Sequence, residues 1–84
     1  MRKRTVSRVR TTEGDVLLYA LLRGKRKFGV QITLREEDKE TVDSYEDLFR
    51  RRSMAVRFLR VLSKEQVYPV HLKEIADQFE YNLL

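Results

Sequence analysis

The apolar positions change their period midway along the chain. In the first half they alternate or fill short blocks; in the second they recur at helical spacing. Residues 4–11, RTVSRVRT, are rich in β-prone side chains. Val6 and Val9 would fall on opposite faces of a regular strand, so the segment reads as an edge strand or one carrying a bulge. TEGD at 12–15 is a turn, with Gly14 supplying the positive φ. VLLYALL at 16–22 is apolar at both parities, like a strand covered on both faces or a piece of buried helix. Its shortness and flanking turns favour the strand. A second turn, RGKRK at 23–27, leads into FGVQITL, where alternation is clean. Phe28, Val30, Ile32 and Leu34 take one face, and Gly29, Gln31, Thr33 and Arg35 take the other. The three segments predict a meander with at least one apolar face that needs a cover.

REEDKE at 35–40 is a charged loop. TVDSYEDLF at 41–49 admits two readings. Ser44 followed three residues later by Asp47 resembles a helix capping box, whereas Val42 and Tyr45 suit a short fourth strand, which is preferred. From Arg51 to Glu65 the spacing predicts a helix, with Met54, Ala55, Phe58, Leu59 and Leu62 inside and Arg57, Arg60 and Lys64 outside. Pro69 ends it and pushes Tyr68 towards an extended conformation. A last helix is expected from Val70 to Asn82, with Leu72, Ile75, Ala76, Phe79 and Leu83 as its apolar stripe. The expected fold class is α+β: an antiparallel three- to four-stranded meander followed by two helices packed on one face (ββββαα). At 84 residues this makes a single domain, 1–84.

Composition narrows the function classes. A domain of this size buries only about 60–65% of its unfolded surface, so the core is small. With no cysteine, disulfides, thiolate metal sites and thiol nucleophiles are excluded. Met1-Arg2-Lys3-Arg4 is basic, but the apolar run of about 7–15 residues that a secretory signal needs does not follow it. Val16–Leu22 is far short of the ~20 apolar residues that span a bilayer. The expectation is a cytoplasmic protein with no membrane partner. A net charge of +5 permits nucleic-acid binding and does not demand it.

Candidate chemistry is sparse. His71 is the only histidine and has no partner at helical ligand spacing. Glu36, Glu37 and Asp38 sit side by side in a loop, not opposed across a substrate. The three glycines fit no phosphate-binding loop. No catalytic residue, metal ligand or cofactor site is therefore expected, and the chain does not read as an enzyme. HLKEIADQFEYNLL at 71–84 reads like the first half of a helix-turn-helix. Glu80 occupies the usual glycine position, however, and the five residues after Phe79 are too few for a recognition helix. RRRS at 50–53 resembles a basic-directed phosphorylation site; the plainer reading puts Ser53 at the helix start as a cap.

Basic residues cluster at Arg2, Lys3 and Arg4, at Arg23, Lys25, Arg26 and Lys27, and at Arg50, Arg51 and Arg52. In a meander the first two clusters share one end of the sheet, forming a patch able to neutralise phosphates. Tyr19 would offer a stacking surface on an open sheet face. Charged turns and termini also keep sheet edges from aggregating.

The order of YALL, FGVQITL, a charged loop, a helix and EQVYPVHLKEIADQF resembles a small bacterial family of unknown function associated with Gram-positive anaerobes. The shared motif is Gln66-Val67-Tyr68-Pro69-Val70-His71-Leu72, and the resemblance spans most of the chain. Relatives carry Ser or Thr and Asp at the start of the first helix, where this chain has Arg50, Arg51 and Arg52. The resemblance implies the fold order above and no activity. On these grounds the leading expectation is a protein-binding or adaptor module that self-associates as a homodimer, with Leu17, Tyr19 and Leu21 as the candidate interface. The alternative is a nucleic-acid-binding module using the basic turns.

Overall fold

The computed structural model describes residues 2–83, with side chains described for residues 2–78. Four strands come first: β1 (Arg2–Arg10), β2 (Val16–Arg23), β3 (Phe28–Arg35) and β4 (Glu40–Phe49). Helix α1 (Arg52–Lys64), a 3₁₀ turn (Pro69–His71) and helix α2 (Leu72–Leu83) follow. The sheet is antiparallel with order β1-β2-β3-β4, so the expected α+β meander with two trailing helices is the observed fold. The fourth segment is a strand, as preferred. The expected side chains of Phe79 and Leu83 lie outside those described.

The irregular spacing of Val6 and Val9 has the anticipated cause. The β1–β2 register shifts between Thr5 and Ser7, and the extra residue lets both valines pack on the core. Across the sheet, one face carries Val9, Leu17 and Leu34 in one row and Ser7, Tyr19 and Ile32 in the next. This face is the covered one. Leu17, Tyr19, Leu21, Val30 and Ile32 form one buried cluster with Ala55, Phe58, Leu59 and Leu62 of α1 and Leu72 and Ala76 of α2. The rings of Phe49 and Phe58 meet in a tilted pair at 5.5 Å.

The candidate interface therefore needs correction. Leu17 and Tyr19 are fully buried and Leu21 nearly so; the helices cover them, and they offer no surface to a partner. The opposite parity, Val16, Leu18, Ala20 and Leu22, lies on the uncovered face. Even there Val16, Ala20 and Leu22 retain no more than 9% exposure. The register flanks Leu22 with Lys3, Ala20 with Thr5 and Gln31, and Val16 with Arg10 and Arg35.

Helix α1 ends where its spacing places the end, at Lys64 with Glu65 as cap, whereas its closing geometry and the start of α2 differ from expectation. Helix α1 stops before Pro69 acts. Gln66 adopts φ 52°, its N–H donates to the Ser63 carbonyl, and the Val67 N–H donates to the Leu62 carbonyl. This is a Schellman ending with glutamine in the position glycine usually fills. Tyr68 is extended before Pro69, as expected, and residues 69–71 form a 3₁₀ turn, so α2 starts at Leu72. At the other end of α1 the cap position is Arg51, with no side-chain cap hydrogen bond. Ser53 lies inside the first turn and does not cap.

β4 carries a pronounced bulge. Phe28 pairs with Phe49 and Val30 with Tyr45, which leaves Glu46, Asp47 and Leu48 opposite Gly29 alone. Asp47 reaches φ 55° there. A Cβ on Gly29 would collide with the Tyr45 carbonyl oxygen and the Glu46 backbone. The glycine is what allows the bulged backbone to approach so closely.

Candidate functional site

Topology decides where the charges meet. In a four-stranded antiparallel meander the start of β1, the β2–β3 turn and the end of β4 all lie at one end of the sheet. The first two basic clusters are joined directly by register, since Arg2 pairs with Arg23 across β1 and β2. The third run, Arg50 to Arg52, follows β4 and opens α1. Sequence reading noticed this run without placing it with the others. The preferred fourth strand carried the signal: once β4 is a strand, its end must return to the end where β1 starts.

The two sides of this end differ. Strand alternation puts Arg2 and Arg4 on the helix side of β1, with Arg4 paired to Leu21 and Arg23 paired to Phe28. There a cavity of about 340 Å³ is lined by Arg2, Lys3, Arg4, Arg23 and Arg52, with Leu21 and Phe28 as its apolar surface. Around the turn a shallower hollow of about 600 Å³ adjoins Arg2, Arg23, Gly24 and Lys25. A third, of about 430 Å³, lies between Lys25, Arg26, Lys27 and Asp47. Asp47 is the one carboxylate among the described residues lining these three hollows. The β2–β3 turn is closed by the Gly24 N–H donating to the Lys27 carbonyl at 2.9 Å. That bond fixes the backbone from which Lys25 and Arg26 project, both exposed.

Among the described residues these cations have no carboxylate within ion-pair distance. Among the described residues the ion pairs are Arg35–Glu40 and Lys39–Glu36, both at the opposite end of the sheet, where Glu36, Glu37 and Asp38 gather. The molecule is therefore polarised from a basic end to a mixed, acid-rich end. Helix α1 begins at the basic end with no acidic residue in its first turn. Arginines there add to the partial positive charge of the helix terminus instead of offsetting it.

The remaining candidates lie elsewhere. His71 is exposed in the 3₁₀ turn. Tyr19 is in the core, not on an open face. Its hydroxyl donates to the Val67 carbonyl, and burial, with a smaller contribution from Tyr68, pushes its phenol up to about 12. Among the described residues no group of three or more His, Cys, Asp or Glu side chains is placed to hold a metal ion. No described helix is long and apolar enough to cross a membrane.

A family model described as "Family of unknown function (DUF6514)" matches residues 5–81, in agreement with the resemblance to a small family of unknown function. No curated protein and no solved structure matches the chain.

Proposed function

The chain belongs to this family of unknown function, DUF6514, and we propose that it is a nucleic-acid-binding module that grips phosphates with the basic end of its sheet. The observation that carries this reading is the convergence of Arg2, Lys3, Arg4, Arg23 and Arg52 around one cavity with no carboxylate among the described lining residues. Lys25, Arg26 and Lys27 extend the same surface around the turn. Unpaired arginines and lysines release condensed counterions from a nucleic-acid backbone when they bind it, which supplies affinity without requiring base contacts. The role is binding; no catalytic step is assigned to any residue.

The test is fluorescence anisotropy of labelled mixed-sequence RNA and DNA, at low and physiological salt. Binding should weaken steeply with salt, and Lys25→Ala, Arg26→Ala and Lys27→Ala should each weaken it. Absence of binding at low salt would end the proposal.

Self-association as an adaptor module is the second reading. Its support is Val42, 49% exposed, in one row with Thr33 and the half-buried Leu18 on the uncovered face. That patch is narrow, because Val16, Ala20 and Leu22 are already shielded. Light scattering on the same samples decides it: a dimer mass lost in Val42→Lys favours the adaptor reading, and a monomer mass at high micromolar concentration removes it.

A further inference from the structure

We infer that the helix-side cavity at the basic end receives an unpaired nucleobase together with its flanking phosphates, so that the protein prefers single-stranded nucleic acid over duplex. This deepens the nucleic-acid reading and rests on it. The relevant juxtaposition is chemical. Phosphates need cations and N–H donors, and the rim supplies them through Arg2, Arg4, Arg23 and Arg52. Leu21 and Phe28 can do nothing for a phosphate. They suit a planar, weakly polar group, and in a nucleic acid that group is the face of a base.

The position of Phe28 makes this surface available. It opens β3 and is only half-buried, packing against the core from one side. Leu21, on the neighbouring strand, is 4% exposed and closes the floor. The arginines around them add a second means of holding a base, since a guanidinium plane stacks on aromatic faces as well as pairing with phosphate. At about 340 Å³ the cavity lies in the size range of small-ligand sites, roughly 300–1,000 Å³.

A duplex cannot use the cavity. Its bases are stacked and paired, and it presents the protein with a convex ridge of phosphates. It would meet only the outer cations, including Lys25, Arg26, Arg50 and Arg51. A single strand can use both: phosphates on the outer cations and one splayed base in the cavity. A free nucleotide carries the same chemistry, but it is too short to reach the outer cations as well.

The full-length protein is titrated into labelled 12-nucleotide oligouridine, a 12-base-pair RNA duplex and, as unlabelled competitor, uridine monophosphate. The single strand should bind about tenfold more tightly than the duplex at matched salt. Phe28→Leu keeps an apolar side chain and removes the ring. It should cost the single strand most of that advantage and leave duplex affinity unchanged. Arg52→Ala, at an exposed rim position, gives the same comparison should Phe28→Leu not fold, and should weaken the single strand more than the duplex. Uridine monophosphate displacing the strand at equal nucleotide concentration would keep the base-and-phosphate assignment and make a free nucleotide the occupant. Equal affinity for strand and duplex, unchanged by either substitution, would overturn the inference while leaving the phosphate-binding function standing. No binding of any nucleic acid at low salt would instead overturn the function it rests on.

Discussion

The hydroxyl of Tyr19 donates a hydrogen bond to the carbonyl of Val67 at 3.0 Å, tying the centre of β2 to the segment between α1 and the 3₁₀ turn. A phenol in the middle of an apolar core needs such a partner, and this one also fixes the linker that positions α2. Tyr19→Phe removes the bond with little change in volume. It should cost about 1 kcal/mol, measured by urea denaturation.

The same residue predicts an alkaline limit to stability. Its phenol is raised from 10.0 to about 12 by burial, with a further contribution from Tyr68. The folded state therefore holds this proton where the unfolded chain has lost it. The stabilisation is complete below pH 10 and is lost as pH rises from about 10 through about 12. In Tyr19→Phe that source of decline is absent. Thermal melts between pH 9 and 12 should show a shallower loss of Tm for the variant than for the wild type. Parallel curves would mean that other groups govern alkaline unfolding.

Gln66 holds φ 52° to end α1. A side chain in the left-handed region costs roughly 1–2 kcal/mol, which glycine avoids and partly returns as chain entropy. Gln66→Gly should raise stability by about 0.5–1 kcal/mol, a Tm increase of a few degrees for a domain of this size. A decrease would show that the Gln66 side chain makes a contribution beyond the backbone geometry.

Gly29 behaves oppositely. Its missing Cβ is the space occupied by the Tyr45 carbonyl and the Glu46 backbone. Gly29→Ala should destabilise by about 3 kcal/mol, as overpacking against backbone does. Because the β4 bulge also carries Asp47 to the β2–β3 turn, the surviving fold should bind nucleic acid with altered salt dependence. A melt within a degree of wild type would show that the bulge has room to shift.

Most of the fold was legible because local patterns agreed with one another. FGVQITL alternates, so β3 announces its covered face, and Val6 and Val9 announce a bulge by failing to alternate. VLLYALL gave no such signal, since both parities are apolar, and the covered set had to come from pairing. Tyr19 stands opposite Ile32 and Leu21 opposite Val30, which places Leu17, Tyr19 and Leu21 under the helices with β3's apolar face. The hairpin register implied by the RGKRK turn contained that answer; composition alone did not. The basic end was half legible for a related reason. Arg2 to Arg4 and the β2–β3 turn meet in any three-stranded meander, but Arg50 to Arg52 join them only if TVDSYEDLF is a full strand. The end of α1 was legible from its spacing, but its Schellman closure was not, because nothing about Gln66 marks it as a residue with positive φ.

Arg51 sets stability against binding. It occupies the cap position of α1 with extended backbone, φ −111° and ψ 135°, and its side chain makes no cap hydrogen bond. The backbone is already shaped for an oxygen-bearing side chain that would accept from the first-turn N–H groups. Arginine here forgoes that bond and adds positive charge to a positive helix end. Local rules broken in this way are expected where a surface serves a ligand. Arg51→Asp should therefore stabilise the unliganded protein by about 1 kcal/mol. The same change removes one cation and adds an anion at the basic end. It should weaken nucleic-acid binding and flatten the plot of log affinity against log salt by roughly 0.7 to 0.9 for the lost phosphate contact. Arg57→Asp, on the exposed middle of α1, is the control and should leave the slope near wild type. Calorimetric melting and anisotropy at three salt concentrations give both quantities on the same samples. A stabilised variant with undiminished affinity would remove Arg51 from the phosphate-binding surface, and with it the physical account of why this helix begins on three arginines.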